Sequence, residues 1–158
     1  MGFLDTLQNS AVATWVASAP TLLAYPTILA LHTVGLGVVV GTNAIVDLRL
    51  LGFGRAVPLP DLKRVFRPMW LGFALNLSTG VGLFVAAAAE FGTMPLFYVK
   101  LSLITLALII AARIRRLAFG GDLGPNAPIP QQARVLAIAS LILWTGTITA
   151  GRLMAYAH

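Results

Sequence analysis

The sequence contains no cysteine, which excludes disulfides, thiolate metal sites and thiol chemistry. It is also poor in charge: Asp, Glu, Lys and Arg make up 10% of its 158 residues, against roughly a quarter in soluble domains. Acids are scarcer than bases, five against eleven, and there are two histidines. No stretch alternates with a period of two, which argues against a membrane β-barrel. There is no Ser-His-Asp set, no HExxH, no Gly-rich phosphate loop and no pair of carboxylates within an apolar run. What is abundant is hydrocarbon, with 58% of residues hydrophobic. A soluble fold made from this composition lacks the polar residues to cover its surface, so the sequence implies a surface that faces lipid.

Four apolar stretches are long enough to cross a hydrocarbon core, which takes about 20 helical residues. They run over residues 22–46, 69–89, 94–112 and 135–156. Ahead of them, residues 1–19 lack the basic start of a secretory signal and contain Asp5. There Phe3, Leu4, Leu7, Ala11 and Trp15 recur at helical spacing, which predicts a short amphipathic helix over Gly2–Ser18 lying at the membrane interface. The expected fold is therefore all-α: a single transmembrane domain over 1–158, a four-transmembrane-helix bundle with an interfacial N-terminal helix.

Charge placement orients it. Arg49, Arg55, Lys63, Arg64 and Arg67 follow the first span, and Arg113, Arg115, Arg116 and Arg134 lie between the third and fourth. The turn around Glu90–Met94 carries no base. Nine of the eleven bases thus gather at one end, which the positive-inside rule assigns to the cytoplasm, with both termini periplasmic. The same placement accounts for the net charge of +6 without nucleic acid. Pro58 and Pro60 interrupt the first loop, and Gly120, Gly121, Gly124, Pro125, Pro128 and Pro130 make the third irregular.

Polar residues inside a span are costly, so each needs a reason. His32 is the one histidine inside a span, about ten residues from its outer end and so roughly 15 Å deep. It reads either as an axial ligand to haem iron or as a histidine bonded to a neighbouring helix. Lys100 and Arg152 are the only bases outside the inner cluster, and both fall near the outer end of their spans. With one carboxylate nearby, Glu90, they read either as partners for two haem propionates or as side chains that snorkel to the interface. Gly35, Gly37 and Gly41, and Gly72, Asn76 and Gly80 on the second span, permit close helix packing or let a flat cofactor lie against backbone. Asn43 reads as an interhelical hydrogen-bonding residue. Asp47 is placed to pair with Arg49 or with Arg113 as a structural clamp, and Arg49 and Gly52 are helix-stop residues. Tyr98, Trp144 and Tyr156 are candidates to pack near a macrocycle. His158 reaches inward only if the C-terminus folds back.

The pattern Tyr25-Pro26, Leu31-His32 with Gly35 and Gly41, then Asp47-Leu48-Arg49-Leu50-Leu51-Gly52, resembles a family of small bacterial four-helix membrane proteins of unknown function. Trp70-Leu71-Gly72-Phe73, Thr79-Gly80 with Leu83-Phe84, and Phe97 with Lys100 extend the likeness over nearly the whole chain. More distantly it is similar to HemJ-like and CopD-like membrane proteins. These carry a histidine early in the first helix and, in HemJ-like members, a lysine early in the third. HemJ-like proteins bind haem b and oxidise protoporphyrinogen. The resemblance implies haem b on His32 as the metal-binding residue, with Lys100 in the lysine's place. The residues after the histidine differ here, and no second interior histidine is present.

The leading expectation is a haem-b-binding redox protein of the bacterial inner membrane. It exchanges electrons with quinone or a membrane redox complex, through cofactor-binding His32, Lys100, Arg152 and Gly35. The alternatives are a cofactor-free accessory subunit of a larger membrane assembly, or homo-oligomer, and a copper or other metal transport protein using His32, Met94 and Met154.

Overall fold

The computed structural model describes residues 2–19, 24–121 and 128–156. In chain order the helices are α1 (Phe3–Gln8), α2 (Ala11–Ser18), α3 (Tyr25–Leu51), α4 (Phe66–Ala86), α5 (Ala88–Phe91), α6 (Pro95–Phe119) and α7 (Gln131–Met154). A 3-10 helix, Leu59–Val65, runs directly into α4. No strand occurs among the described residues. Four segments are long and apolar enough to cross a membrane: Tyr25–Leu51, Leu59–Ala86, Pro95–Phe119 and Gln131–Met154. The chain is an all-α, multi-pass membrane protein.

The spans match the sequence reading in number and shift at their ends. The first helix continues past Val46 to Leu51, where Gly52 adopts φ +105° and stops it. Phe53 N–H closes back on the Leu48 carbonyl at 3.0 Å, the wrap-around bond of a glycine-terminated helix. Pro60 enters the first turn of the 3-10 helix, where its missing N–H costs nothing. α6 continues past Ala112 through Arg113, Arg115 and Arg116 to Phe119. The N-terminal segment is two helices rather than one over Gly2–Ser18. The break falls at Asn9 and Ser10, whose short side chains compete for backbone groups. Asn9 Nδ2 donates to the Asp5 carbonyl at 2.8 Å, and Ser10 Oγ accepts from Ala13 N–H at 3.3 Å as the cap of α2. Leu22, Gly124, Pro125 and His158 lie outside the described residues.

The described chain falls into two compact units. The first comprises Met1–Val39 and Trp70–Pro95. In it α1 packs against α5. Gln8 Oε1 accepts the Ala89 N–H at 2.8 Å and so caps the first turn of α5 from eighty-one residues away. Leu4 lies directly over Gly92. The amphipathic face expected of this segment is thereby partly spent on protein, while Phe3 and Trp15 stay exposed.

The second unit comprises Val40–Met69 and Leu96–His158. Its core is a continuous apolar cluster at the basic end. Val46 and Leu50 of α3 join Leu59, Leu62, Phe66 and Met69. Ala111, Ile114, Ala118 and Phe119 of α6 and Ala133 and Ala137 of α7 complete it. Phe66 meets Phe119 edge-on at 5.5 Å, and the Arg115 guanidinium lies 5.7 Å over the Phe66 ring. The alanines let the helix backbones approach, and the aromatic rings fill the space beside them.

Candidate functional site

The site grows from glycines that let α3 and α4 touch within the first unit. A Cβ on Gly35 would sit 2.8 Å from Asn76 N and 3.0 Å from the Gly72 carbonyl oxygen. A Cβ on Gly72 would sit 2.7 Å from Val38 Cγ1. No side chain fits between the two backbones there. Gly37 and Gly41, by contrast, have nothing within 4 Å of a built Cβ. The apolar face of Gly35 is therefore covered by the backbone of α4.

That contact places His32 against the next turns of α4. Its Nδ1 lies 3.0 Å from the Asn76 carbonyl oxygen and 3.2 Å from Thr79 Oγ1. With the proton on Nδ1 the ring donates to that carbonyl and Nε2 holds the lone pair; the Asn76 amide nitrogen, 3.3 Å from the same Nδ1, would instead donate to the other tautomer. Thr79 Oγ1 donates to the Leu75 carbonyl at 2.6 Å, which turns its own oxygen toward the imidazole as acceptor. Asn76 Nδ2 donates to the His32 carbonyl at 2.8 Å and lies 3.3 Å from Nδ1 and 3.5 Å from Nε2. Gly80 completes the seat, since a Cβ there would lie 3.1 Å from His32 Cε1. Asn76, Thr79 and Gly80 at i, i+3 and i+4 form one face of α4, and the imidazole lies against that face.

Lys100 and Arg152 belong to the second unit. The Lys100 side chain lies across Gly151 of α7, its Nζ 3.6 Å from where a Cβ would be. Lys100 is half-buried and Arg152 exposed. Neither has a hydrogen-bond or ion-pair partner among the described residues. Trp144 is buried in this unit, whereas Tyr98 and Tyr156 are largely exposed. Among the described residues no three His, Cys, Asp or Glu side chains gather as a metal site.

Asp47 departs from the clamp expected of it. It is 1% exposed, and its Oδ2 has no hydrogen-bond partner. Arg49 instead donates Nε to the Val57 carbonyl at 2.8 Å. Arg113 is exposed. Ser140, fully buried, lies beside Asp47. Its hydroxyl and the Trp144 indole nitrogen are likewise buried without partners. Asn43 is buried on the same helix, one turn before Asp47.

Comparison with protein-family models, with curated proteins and with solved structures gives no match. The class of the protein rests on its own architecture: a multi-pass α-helical membrane protein with an oriented imidazole inside a span.

Proposed function

We propose that this chain is a haem-b-binding electron-transfer protein of the bacterial inner membrane, with His32 as an axial ligand. The observation that carries the reading is the 3.0 Å contact of His32 Nδ1 with the Asn76 carbonyl. Histidines that ligate metals almost always donate their other ring N–H to a carbonyl or carboxylate, which fixes the tautomer and raises ligand basicity. The donor set suits haem better than a bare ion. A porphyrin brings four nitrogens and asks the protein for one or two, whereas a copper site needs several His or Met ligands.

Haem supplies one-electron chemistry when bound. The chain's own residues do the rest. Asn76 and Thr79 hold the Nδ1 proton, Gly80 gives the ring its seat, and Gly35 and Gly72 bring the two helices close enough for those bonds. On sequence alone, Lys100 and Arg152 are assigned to the propionates, both termini to the periplasm, and quinone or a membrane dehydrogenase to the partner role. Protein purified from membranes under haem-replete expression is expected to show a Soret band that is lost in His32→Ala. Colourless protein under the same conditions refutes the reading.

A second reading has its own support. His32 already makes its contacts on α4, which is what a helix clamp in a cofactor-free accessory subunit would do. Colourless protein that co-migrates with a larger membrane complex in mild detergent favours it.

A further inference from the structure

We propose that the turn closing α3 binds an anionic phospholipid, with an acyl chain along an apolar groove and the phosphate on the guanidiniums of Arg49 and Arg55. The groove has a volume of about 240 Å³ and is lined by Ile45, Leu48, Arg49, Phe53, Val57 and Leu62, all in the second unit. Arg49 is the one charged residue in its wall. The wall faces outward: Ile45 is 54% exposed and Phe53 66%.

The turn builds this shape from two glycines. Gly52 at φ +105° ends the helix, and Gly54 at φ +62° reverses the chain. Both values lie where glycine alone is at ease. Val57 N–H closes on the Gly54 carbonyl at 3.0 Å, which returns Val57 to the flank of α3. Its carbonyl then takes Arg49 Nε at 2.8 Å, while Arg55 Nε donates to the Gly52 carbonyl at 3.3 Å. Each guanidinium is thus held at Nε by the turn. The terminal nitrogens of both make no hydrogen bond among the described residues, so they keep the paired donors that fit a phosphate.

Charge complementarity selects the occupant. Residues 49–67 hold five bases and one acid, Asp61. Inner-leaflet surfaces are anionic, and basic pockets beside spanning helices on that side take acidic head groups. The groove is smaller than the roughly 300–1,000 Å³ of sites that enclose a drug-sized ligand, but an acyl chain needs only a trough along one flank. A packed partner helix would cover the apolar wall and have no use for two fixed guanidiniums.

The test uses the full chain in nanodiscs of phosphatidylcholine with graded phosphatidylglycerol, followed by native mass spectrometry of the lipid kept after release. Phosphatidylglycerol is expected to be retained over phosphatidylcholine. Arg49→Gln with Arg55→Gln should weaken that retention roughly thirtyfold, the factor two bases are worth at an anionic surface. Arg116→Gln with Arg134→Gln removes the same charge elsewhere and should change it little. Leu48→Trp fills the groove with both arginines intact and should also lose the lipid, which separates binding from misfolding of the Arg49 variant. Equal retention of the two lipids, equal loss in the control pair, no effect of Leu48→Trp, or a co-purifying protein in place of lipid overturns the proposal.

Discussion

Two glycines on α3, two residues apart, should answer the same substitution with opposite signs. Gly35→Ala places a methyl 2.8 Å from Asn76 N, 3.0 Å from Gly72 O and 3.1 Å from Asn76 Cα. All three are backbone atoms, so no rotamer change relieves the contact and the helices must part. Overpacking of this kind costs about 1–3 kcal/mol. Separation also lengthens the two bonds that join His32 to Asn76, at 2.8 and 3.0 Å, and such bonds are worth about 0.6 kcal/mol each within a membrane. Against this stands the helix preference for Ala over Gly, about 1 kcal/mol. The net expected loss is roughly 1–3 kcal/mol. Gly37→Ala meets nothing within 4 Å and keeps only the propensity gain, so it should be neutral or stabilising by up to about 1 kcal/mol. The assay is reversible unfolding in mixed detergent micelles, followed by helical ellipticity. If the two variants fall within about 0.5 kcal/mol of one another, the range of an ordinary surface substitution, the close α3–α4 contact is not present in the folded protein.

Two further outcomes follow from single contacts. Ser140 is fully buried with an unpartnered hydroxyl, so Ser140→Ala should leave stability unchanged or raise it by about 1 kcal/mol; a loss of that size in the same unfolding assay means the hydroxyl is satisfied. Gln8→Ala removes the acceptor of the Ala89 N–H and should raise hydrogen exchange and protease cleavage over residues 3–18 while exchange in α6 and α7 stays unchanged. Cleavage equal to the parent protein would show that α1 is held without that bond.

Which parts of this were legible in the sequence follows from what kind of signal each leaves. A spanning helix is a property of composition over about 20 residues, so all four were readable. Their ends were less so, because hydropathy falls before the helix does: α6 carries Arg113, Arg115 and Arg116 without breaking. His32 was legible as a residue needing a reason, but its partners were not. Asn76, Thr79 and Gly80 mark one face of the second span, and nothing in a single sequence says which helix that face meets. The contact of Lys100 with Gly151 is hidden for the same reason.

Asp47 is the instructive case, because helix geometry alone already decided part of it. An Asp47–Arg49 pair spans i to i+2, and residues so spaced point to different sides of a helix. Once the helix runs through to Leu51, that clamp is excluded whatever the tertiary structure. Residues i+4 and i+7 from a buried position share its side, and it is Asn43, one turn back, that is buried with Asp47. Arg49, turned away, is left at the surface beside the Gly52–Val57 turn, whose returning carbonyl it meets. One helical span therefore separates an acid and a base that are two residues apart, sending the carboxylate into the second unit's interior and the guanidinium to the groove where the phospholipid is proposed to bind.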